Sequence, residues 1–401
     1  MKLLDGASNG GGTRTVIRSR GVTAGGERSA GSDRILIGAL LILAALGALM
    51  VYSVSTHRLA RAGEDPSFTL RRHLVFLVVG IALFVLASLM DLRALHTFSP
   101  LLYLGSVVGL VGVLFLPGAR GAQRWISIGD FQLQPSEFAK PALILLLAAL
   151  LAPTGEHGPD WRRIGLTLGL VAIPGFLIFR QPDLGTSLVF GVVTIGMLFA
   201  AGTRLRWLTL LVVATIGAIT LAGTLGLIEL EAYQLERLTA FLHPETASPD
   251  ATYNQSQSLI TIGSGGLLGR GVLSGSQTNL SFVPEQTTDF IFTAVGEQMG
   301  LVGGGLVLLL YAVVVWRLLA AALAATDRFG SLVGIGVAAF MLFHVFVNIG
   351  MTIGIMPVTG LPLPLMSHGG SSIAATALAL GMANAVSRTG SRLPTRVRSI
   401  L

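Results

Sequence analysis

Long apolar stretches separated by short polar connections make up most of the chain from residue 35 onward. A helix needs roughly 20 mostly apolar residues to cross a bilayer. Ten stretches fit this pattern, and the shortest begins at Pro141. They cover residues 35–54, 73–90, 99–116, 141–152, 163–179, 185–201, 207–228, 290–316, 330–353 and 371–386. The pattern predicts an all-α polytopic integral membrane protein with about ten transmembrane helices.

The composition supports a membrane protein and excludes several chemistries. Of the 401 residues, 52% are hydrophobic and only 12% are charged, whereas soluble domains carry about 25% charged residues. The 51 glycines suit helices that approach closely in a membrane. The chain has no Cys, which excludes disulfides, thiolate chemistry and Cys-ligated metals.

The distribution of Lys and Arg predicts the orientation. An even number of spans places both termini on one side, and most of the 27 Lys and Arg then fall on that side. The positive-inside rule therefore makes both termini cytoplasmic. The net charge of +7 is then a topology signal with some attraction to anionic membrane lipids. We expect no nucleic-acid partner.

This topology divides the chain into three parts. A disordered cytoplasmic tail, a membrane domain and a basic cytoplasmic tail are expected at residues 1–34, 35–387 and 388–401. The extracytoplasmic loops are expected at residues 117–140, 229–289 and 354–370. The large loop between helices 7 and 8 is long for a membrane connection, which suggests a functional element.

The segment "RWISIGDFQLQPSEFAK" predicts a β-hairpin followed by a helix that opens at Pro135. Glu137 and Lys140 are three residues apart on that helix and can form an ion pair. One interpretation is an interfacial hairpin anchored by Trp125 with a structural Glu137–Lys140 pair. In the other, Arg124 and Lys140 bind an anionic head group. The spacing favours the structural interpretation.

Three further segments of the predicted outer face have distinctive patterns. Asp183, in "RQPDLGTS", fits a helix cap or the polar wall of a cavity, and the cap is favoured. The segment "EAYQLERLTAFLHP" predicts an amphipathic helix on the membrane interface. The glycine-rich "NQSQSLITIGSGGLLGRG" could cradle a phosphate through backbone N–H groups, although it has no P-loop pattern.

Ionisable residues at or inside spans are functional candidates by default. Glu285 and Asp289 lie directly before a long apolar run, in "SFVPEQTTDFIF". Glu297 lies within that run, and His344 and Asn348 share one face of a later helix. Each could instead be a paired structural group. The proline-broken "MPVTGLPLPLMSHGGSS" fits either a rigid outer loop or a lid.

Together these segments resemble the SEDS (shape, elongation, division and sporulation) family of peptidoglycan polymerases over about residues 35–387. The motifs that carry the resemblance are "RWISIGDFQLQPSEFAK", "QPDLGTS", "YQLERLTAFLHP", "QSLITIGSGGLLGRG", "VPEQTTDFIFTAVGEQMGLVG" and "NIGMTIGIMPVTGLPLPLMSHGGSS". The stretch "PVTGLPLPLMSHGG" is more similar to the elongation (RodA-like) branch than to the division (FtsW-like) branch. Thr287 stands where the family has His, and His368 where it has Tyr.

The resemblance implies a multi-pass protein of the cell membrane with its active site facing outside. It implies lipid II as substrate and a class B penicillin-binding protein as partner. The essential family Asp corresponds to Asp289, with Glu285 as the matching Glu and Trp125 as the family's outer-loop Trp.

We therefore expect an inverting glycosyltransferase that extends a lipid-linked glycan chain with lipid II. It would release undecaprenyl pyrophosphate and serve cell elongation and shape. Asp289 is the expected base. The expected substrate-binding residues are Trp125, Arg124, Lys140, Glu137, Arg237, Glu285, Thr288, Asp183 and Ser367. No cofactor is specified, although a divalent cation (Mg or Mn) could assist.

Three alternatives stay open at this point. A lipid II flippase would fit the many spans and the intramembrane Glu297 and His344. A division-type (FtsW-like) polymerase would share the chemistry. A non-catalytic scaffold would activate a penicillin-binding protein without transferring sugar. The concentration of polar residues on one face favours the polymerase.

Overall fold

The structure is a computed structural model that describes residues 33–116, 124–129, 131–154, 158–226, 232–243, 245 and 247–390. Within these ranges it contains thirteen helices and one two-stranded sheet. Their bounds are α1 Arg34–Arg61, α2 Phe68–Leu89, α3 Leu92–Val113, β1 Ile126–Ile128, β2 Phe131–Leu133, α4 Pro135–Leu151, α5 Trp161–Arg180, α6 Leu184–Ala200, α7 Leu205–Thr224, α8 Ala232–Leu242, α9 Pro249–Ser264, α10 Ser276–Leu280, α11 Ile291–Leu323, α12 Arg328–Thr352 and α13 Gly370–Gly390.

Each of the ten predicted spans coincides with one helix of the structure. Within the described residues, seven helices are long and apolar enough to cross a membrane, namely α1, α2, α3, α5, α11, α12 and α13. Helix α6 and the first part of α7 are shorter apolar helices, and α4 has only 17 residues. The chain is thus a multi-pass membrane protein, while the count of ten and the side of the termini remain predictions.

Helices α12 and α13 form the centre of the bundle. Most of their residues are buried, whereas less than a third of the residues of α2, α3 and α5 are buried. Helix α12 packs against α4, α6, α11 and α13, and α13 also packs along α2. Apolar side chains that face outward need no further explanation in a membrane protein, because lipid tails solvate them.

Aspartates start several helices. An aspartate side chain accepts a hydrogen bond from a backbone N–H at the first turn of five helices, which satisfies donors that the helix leaves unpaired. These caps are Asp33 on α1, Asp91 on α3, Asp160 on α5, Asp183 on α6 and Asp327 on α12. Asp33 also pairs with Arg317 at 2.7 Å, so it belongs to the bundle and not to the expected tail. Residues 1–32 and 391–401 lie outside the described residues.

The expected outer loops contain regular structure. The hairpin forms as predicted, with Ile126 paired to Leu133 and Ile128 paired to Phe131, and α4 begins at Pro135 as expected. The predicted amphipathic helix is α8. Residues 229–289 also contain α9 and α10. The long loop is therefore mostly helical.

Helix α11 is broken at Gly300, which has the non-helical angles φ 65° and ψ −163°. The break leaves backbone groups on both sides without helical partners, and the segment 266–271 satisfies them. Four hydrogen bonds of 2.9–3.1 Å run from Arg270 N to Glu297 O, Gly271 N to Gln298 O, Leu301 N to Gly266 O and Val302 N to Leu267 O. The N–H groups of residues 270 and 271 thus bind α11 and are not available to cradle a phosphate.

Candidate active site

Loops that carry several of the predicted site residues meet at one end of the bundle. His368 N donates to Thr287 O at 2.8 Å, which joins the loop before α13 to the loop before α11. Gly185, at the start of α6, lies so close to Thr359 O that a Cβ there would be 2.9 Å from it. Ser371 Oγ accepts from Gln134 N at 2.9 Å, which brings the end of the hairpin to α13.

A tight turn places Asp289 directly before α11. The Glu285 carbonyl accepts hydrogen bonds from the backbone N–H groups of Thr288, Asp289 and Phe290, at 3.2, 3.0 and 3.4 Å. Glu285 has φ 49°, a left-handed conformation that is uncommon for a residue other than glycine. The Thr288 hydroxyl donates to Glu285 Oε2 at 3.2 Å. Glu285 and Thr288 thus shape the turn that presents Asp289.

Asn348 of α12 holds the main chain of this turn. Its Nδ2 donates to Asp289 O and to Leu361 O, both at 2.7 Å. The side chain of Asn348 is fully buried, so these bonds do not compete with water. One amide therefore fixes the Asp289 main chain against the loop 354–370 and leaves the carboxylate half-buried.

The surroundings raise the pKa of the Asp289 carboxyl from 3.8 to about 6. Burial is the largest cause because it disfavours the charged form, and the negative charge of Glu285 acts in the same direction. The positive charge of Arg237 and the hydrogen bond from Thr288 oppose the shift, while Asp183 adds to it. Glu285, Thr288, Arg237 and Asp183 thus lie close enough to Asp289 to act on its pKa. Their catalytic and substrate-binding roles remain predictions.

Arg237 and Asp183 are each anchored at the edge of the site. Arg237 Nη1 donates to Val358 O at 3.4 Å, which ties α8 to the loop 354–370. The Asp183 carboxylate accepts from Thr186 N at 3.1 Å and from Thr186 Oγ1 at 3.0 Å. It is therefore the predicted helix cap, and its charge also reaches Asp289.

The Glu137–Lys140 pair is closed inside the bundle. Lys140 Nζ lies 2.6 Å from Glu137 Oε1 and 3.4 Å from His344 Nε2. It also lies 5.9 Å from the centre of the Phe340 ring. Lys140 is only 2% exposed. The structure therefore contains the structural pair and gives Lys140 no open path to a phosphate.

The remaining predicted residues make local contacts. The Arg124 guanidinium donates to the carbonyls of Gln181 and Pro182 in the turn between α5 and α6. Trp125 is half-buried directly before β1. Ser367 Oγ is buried and accepts from Leu363 N at 2.9 Å, so this hydroxyl stabilises its own loop.

Glu297 is a structural anchor in this geometry. Its fully buried carboxylate accepts from Gln277 N at 2.8 Å, from Thr278 N at 2.9 Å and from Thr278 Oγ1 at 2.6 Å. Gln286 donates to Thr278 Oγ1 at 3.1 Å and links this cluster to the Asp289 turn. Sequence reasoning left the role of Glu297 open and missed Gln286, whose polar side chain carries no distinctive signal.

The geometry can be compared with known proteins. The FtsW/RodA/SpoVE family of cell cycle proteins matches residues 33–392. The chain belongs to this family. It is 37% identical over 361 residues to stage V sporulation protein E of Bacillus subtilis (strain 168), covering 89% of this chain and 97% of the relative. It is 36% identical over 342 residues to the peptidoglycan glycosyltransferase MrdB of Escherichia coli (strain K12), covering 85% and 89%.

Solved structures of family members have the same fold. A chain from a study of "polymerization and crosslinking by a peptidoglycan synthase complex" superposes with a TM-score of 0.76 at 32% identity, covering 90% of this chain and 99% of that one. The rod shape determining protein RodA of Thermus thermophilus superposes with a TM-score of 0.65 at 31% identity, covering 89% and 97%. The FtsW/RodA/SpoVE relatives named as peptidoglycan glycosyltransferases include RodA, MrdB and FtsW, so membership supports glycosyl transfer and does not separate elongation from division.

Proposed function

We propose that this chain polymerises peptidoglycan glycan strands from lipid II at the outer face of the cytoplasmic membrane. The growing lipid-linked chain is the donor, lipid II is the acceptor, and undecaprenyl pyrophosphate is released. The family and the printed names of its relatives support the reaction class. The sequence of the loop before α13 favours a role in elongation over division.

The observation that carries the proposal is the Asp289 carboxylate directly before α11, with a pKa raised to about 6. A general base works best when its pKa lies near the operating pH. A carboxyl with a pKa near 6 is mostly ionised at neutral pH and is a stronger base than an ordinary aspartate. Its main chain is anchored to α12 by Asn348, so the residue that carries the carboxylate is tied to the bundle.

The proposed step conserves atoms and charge. Asp289 takes the proton from the acceptor sugar hydroxyl, and that oxygen forms a bond to the anomeric carbon of the donor. The bond between this carbon and the pyrophosphate oxygen breaks, so the electron pair leaves with undecaprenyl pyrophosphate. Displacement from the opposite side inverts the configuration at the anomeric carbon. Asp289 then releases its proton to water.

Arg237 is the basic residue best placed to bind the leaving pyrophosphate. Its charge acts on Asp289, and it is exposed on α8 above the site. Lys140 is buried against Glu137, and Arg124 binds backbone carbonyls, so neither replaces it. Guanidinium groups suit the shape and charge of phosphate oxygens.

A divalent cation would depend on the substrate for most of its ligands. In the part of the chain that the structure describes, no group of three His, Asp or Glu side chains forms a cation site. Mg²⁺ commonly binds through one or two carboxylates together with substrate phosphates. Glu285 or Asp183 could supply such a carboxylate, and the proposed proton transfer does not require the cation.

The partner we propose is a class B penicillin-binding protein, which would cross-link the strands. The support is the solved structure from a peptidoglycan synthase complex that couples polymerization with crosslinking. Depletion in cells distinguishes the two physiological roles, since loss of an elongation enzyme gives round cells and loss of a division enzyme gives filaments.

The decisive experiment is polymerisation of lipid II by purified protein, with its partner, in wild-type and Asp289→Asn forms. Because a general base contributes about 10² to 10⁴ in rate, we expect the variant to lose at least about a hundredfold. Asp65→Asn is the matched control, because Asp65 is an exposed aspartate that pairs with Arg71 and is absent from the groups that shift Asp289. Polymer formation at the wild-type rate by Asp289→Asn would refute the assignment.

The alternatives predict different results. Scrambling of labelled lipid II in liposomes without polymer would indicate a flippase. Normal partner binding and normal cell shape with Asp289→Asn would indicate a scaffold. Polymer made from detergent-solubilised substrate, with no membrane to cross, is the result that the polymerase proposal requires.

A further inference from the structure

A cleft of about 480 Å³ lies between the start of α5 and the start of α7. Helix α5 ends beside the active-site turn at residue 180, so its start lies at the opposite end of the bundle. Ile164, Leu210 and Leu211 give the cleft apolar walls, and Trp161 and Trp207 also line it. This cleft is thus separate from the proposed catalytic site.

The cleft exists because α7 stands away from the bundle. Along α7, the side chains that the structure describes are exposed except those of Leu208, which is buried, and Leu211, which is partly buried. Helix α7 packs against α6, which leaves its side toward α5 open. A hydrocarbon-lined gap inside a membrane must be filled by apolar material, since water gains nothing there.

The mouth of the cleft is basic and aromatic. Arg204 lines it, and within the described residues its guanidinium makes no ion pair or side-chain hydrogen bond. Arg162 lies 5.4 Å from the Trp161 ring centre, and Arg206 lies 5.5 Å from that of Trp207. Tryptophan and arginine together are typical of the level at which lipid head groups meet hydrocarbon.

A buried hydroxyl gives independent support for a ligand. Thr203 lines the cleft and is 8% exposed. Its Oγ1 is buried and has no hydrogen-bond partner among the described residues. A buried polar atom without a partner is destabilising, so such an atom beside an arginine indicates a hydrogen-bonding ligand.

We infer that this cleft binds one anionic phospholipid, with its phosphate at Arg204 and Thr203 and an acyl chain between α5 and α7. The apolar walls select a lipid over a free anion, and the arginines select a negatively charged head group. The lipid would lie in the inner leaflet, a position that assumes the same membrane orientation as the proposed function. Its binding does not depend on Asp289 or on polymerase activity.

Native mass spectrometry of the delipidated full-length protein tests the site. Phosphatidylglycerol and phosphatidylcholine with the same acyl chains are titrated separately, and the bound lipid that survives collisional activation is counted. We expect one phosphatidylglycerol to be retained in preference to phosphatidylcholine. Because a hydrogen bond to a charged group contributes about 1.5–3 kcal/mol, Arg204→Gln should weaken this retention about tenfold or more. Thr203→Val, which keeps the side-chain shape, should weaken it by a smaller factor.

Arg93→Gln is the matched control. Arg93 is an exposed arginine in the first turn of α3, and it does not line the cleft. Equal loss of phosphatidylglycerol in Arg93→Gln and Arg204→Gln would overturn the proposal, since it would indicate only general attraction to charge. Equal retention of phosphatidylcholine, or displacement of the lipid by millimolar inorganic phosphate, would overturn it as well.

Discussion

Two charged neighbours act on the basicity of Asp289 in opposite directions. The charge of Glu285 raises the pKa of the Asp289 carboxyl, and the charge of Arg237 lowers it. Both are exposed, so they adjust a shift that burial sets. This arrangement gives a direct test, because removing either charge should move the pH dependence of catalysis in a known direction.

Arg237→Gln should move the acidic limb of kcat/KM to higher pH, and Glu285→Gln should move it to lower pH. Without Arg237 the ionised carboxylate loses a favourable charge, so its pKa rises above about 6. Without Glu285 it loses an unfavourable one, so its pKa falls. Polymerisation rates between about pH 5 and 8 measure the shift. Arg71→Gln, at an exposed arginine paired with Asp65, is the control and should leave the acidic limb unchanged. Shifts of the same sign in Arg237→Gln and Glu285→Gln would contradict the opposite effects of these two charges.

Asp289 should also reduce the stability of the protein at neutral pH. Its folded-state pKa is raised, so its contribution to stability is greatest below pH 3.8 and is lost as the pH rises to about 6. The shift of the pKa from 3.8 to about 6 corresponds to a loss of about 3 kcal/mol in the free energy of unfolding. Asp289→Asn should therefore melt at the same or a higher temperature than the wild type at pH 7 while it loses activity. A clear drop in melting temperature would show that the carboxylate has a structural role instead.

Single residues also mark the limit of prediction from sequence. A carboxylate beside an apolar run is unusual and indicates both Glu285 and Asp289, and the resemblance to the SEDS family selects Asp289 as the expected base. The sequence allowed Lys140 either a structural or a phosphate-binding role, and only the packing of α4 against α12 shows that it is enclosed. His368 was an unexplained departure from the family. The structure joins its N–H to the Thr287 carbonyl, a backbone bond that any residue except proline could make, and nothing in the structure explains the Thr287 side chain.

At the scale of elements, the least predictable feature is the break in α11. Several glycines occur in its apolar run, and nothing in the periodicity distinguishes Gly300 from its neighbours. The break depends on the segment 266–271, which lies about thirty residues earlier and supplies its hydrogen bonds. Long helices and the hairpin were predictable because their signals are local, whereas this joint is a tertiary interaction.

Gly300→Ala should therefore destabilise the protein far more than Gly305→Ala. A Cβ at Gly300 would lie 2.3 Å from Gly269 N, at φ +65°, in a conformation that essentially only glycine adopts. We expect a cost of about 3 kcal/mol or more. Gly305 lies in the same helix with no atom within 4 Å of its Cβ position, so alanine there should be neutral or stabilise by up to about 1 kcal/mol. Thermal melting in detergent compares them, and similar melting temperatures would contradict the role given to Gly300.

At the scale of the whole molecule, the apolar pattern predicted the helices well because lipid imposes the same requirement on every span. The arrangement of loops was less predictable, since contacts such as His368 to Thr287 join residues far apart in sequence. The side on which the active-site loops lie rests on the distribution of Lys and Arg.

The absence of Cys allows a clean test of this orientation. Ser274→Cys, in the exposed segment before α10, should react with a membrane-impermeant maleimide on intact spheroplasts. Thr326→Cys, in the exposed connection between α11 and α12, should react only after the membrane is opened. The unmodified chain is the blank because it has no thiol. The reverse pattern of labelling would place the active site in the cytoplasm and rule out the proposed function.

The carboxylate of Glu297 has a consequence for the exchange of amide hydrogens with solvent. It accepts the N–H groups of Gln277 and Thr278 from inside the bundle, so these two amides can exchange only when α10 detaches from α11. Helix α10 has five residues and would ordinarily exchange as fast as a surface turn. In deuterated buffer the Gln277 and Thr278 amides should instead exchange as slowly as those of a buried span.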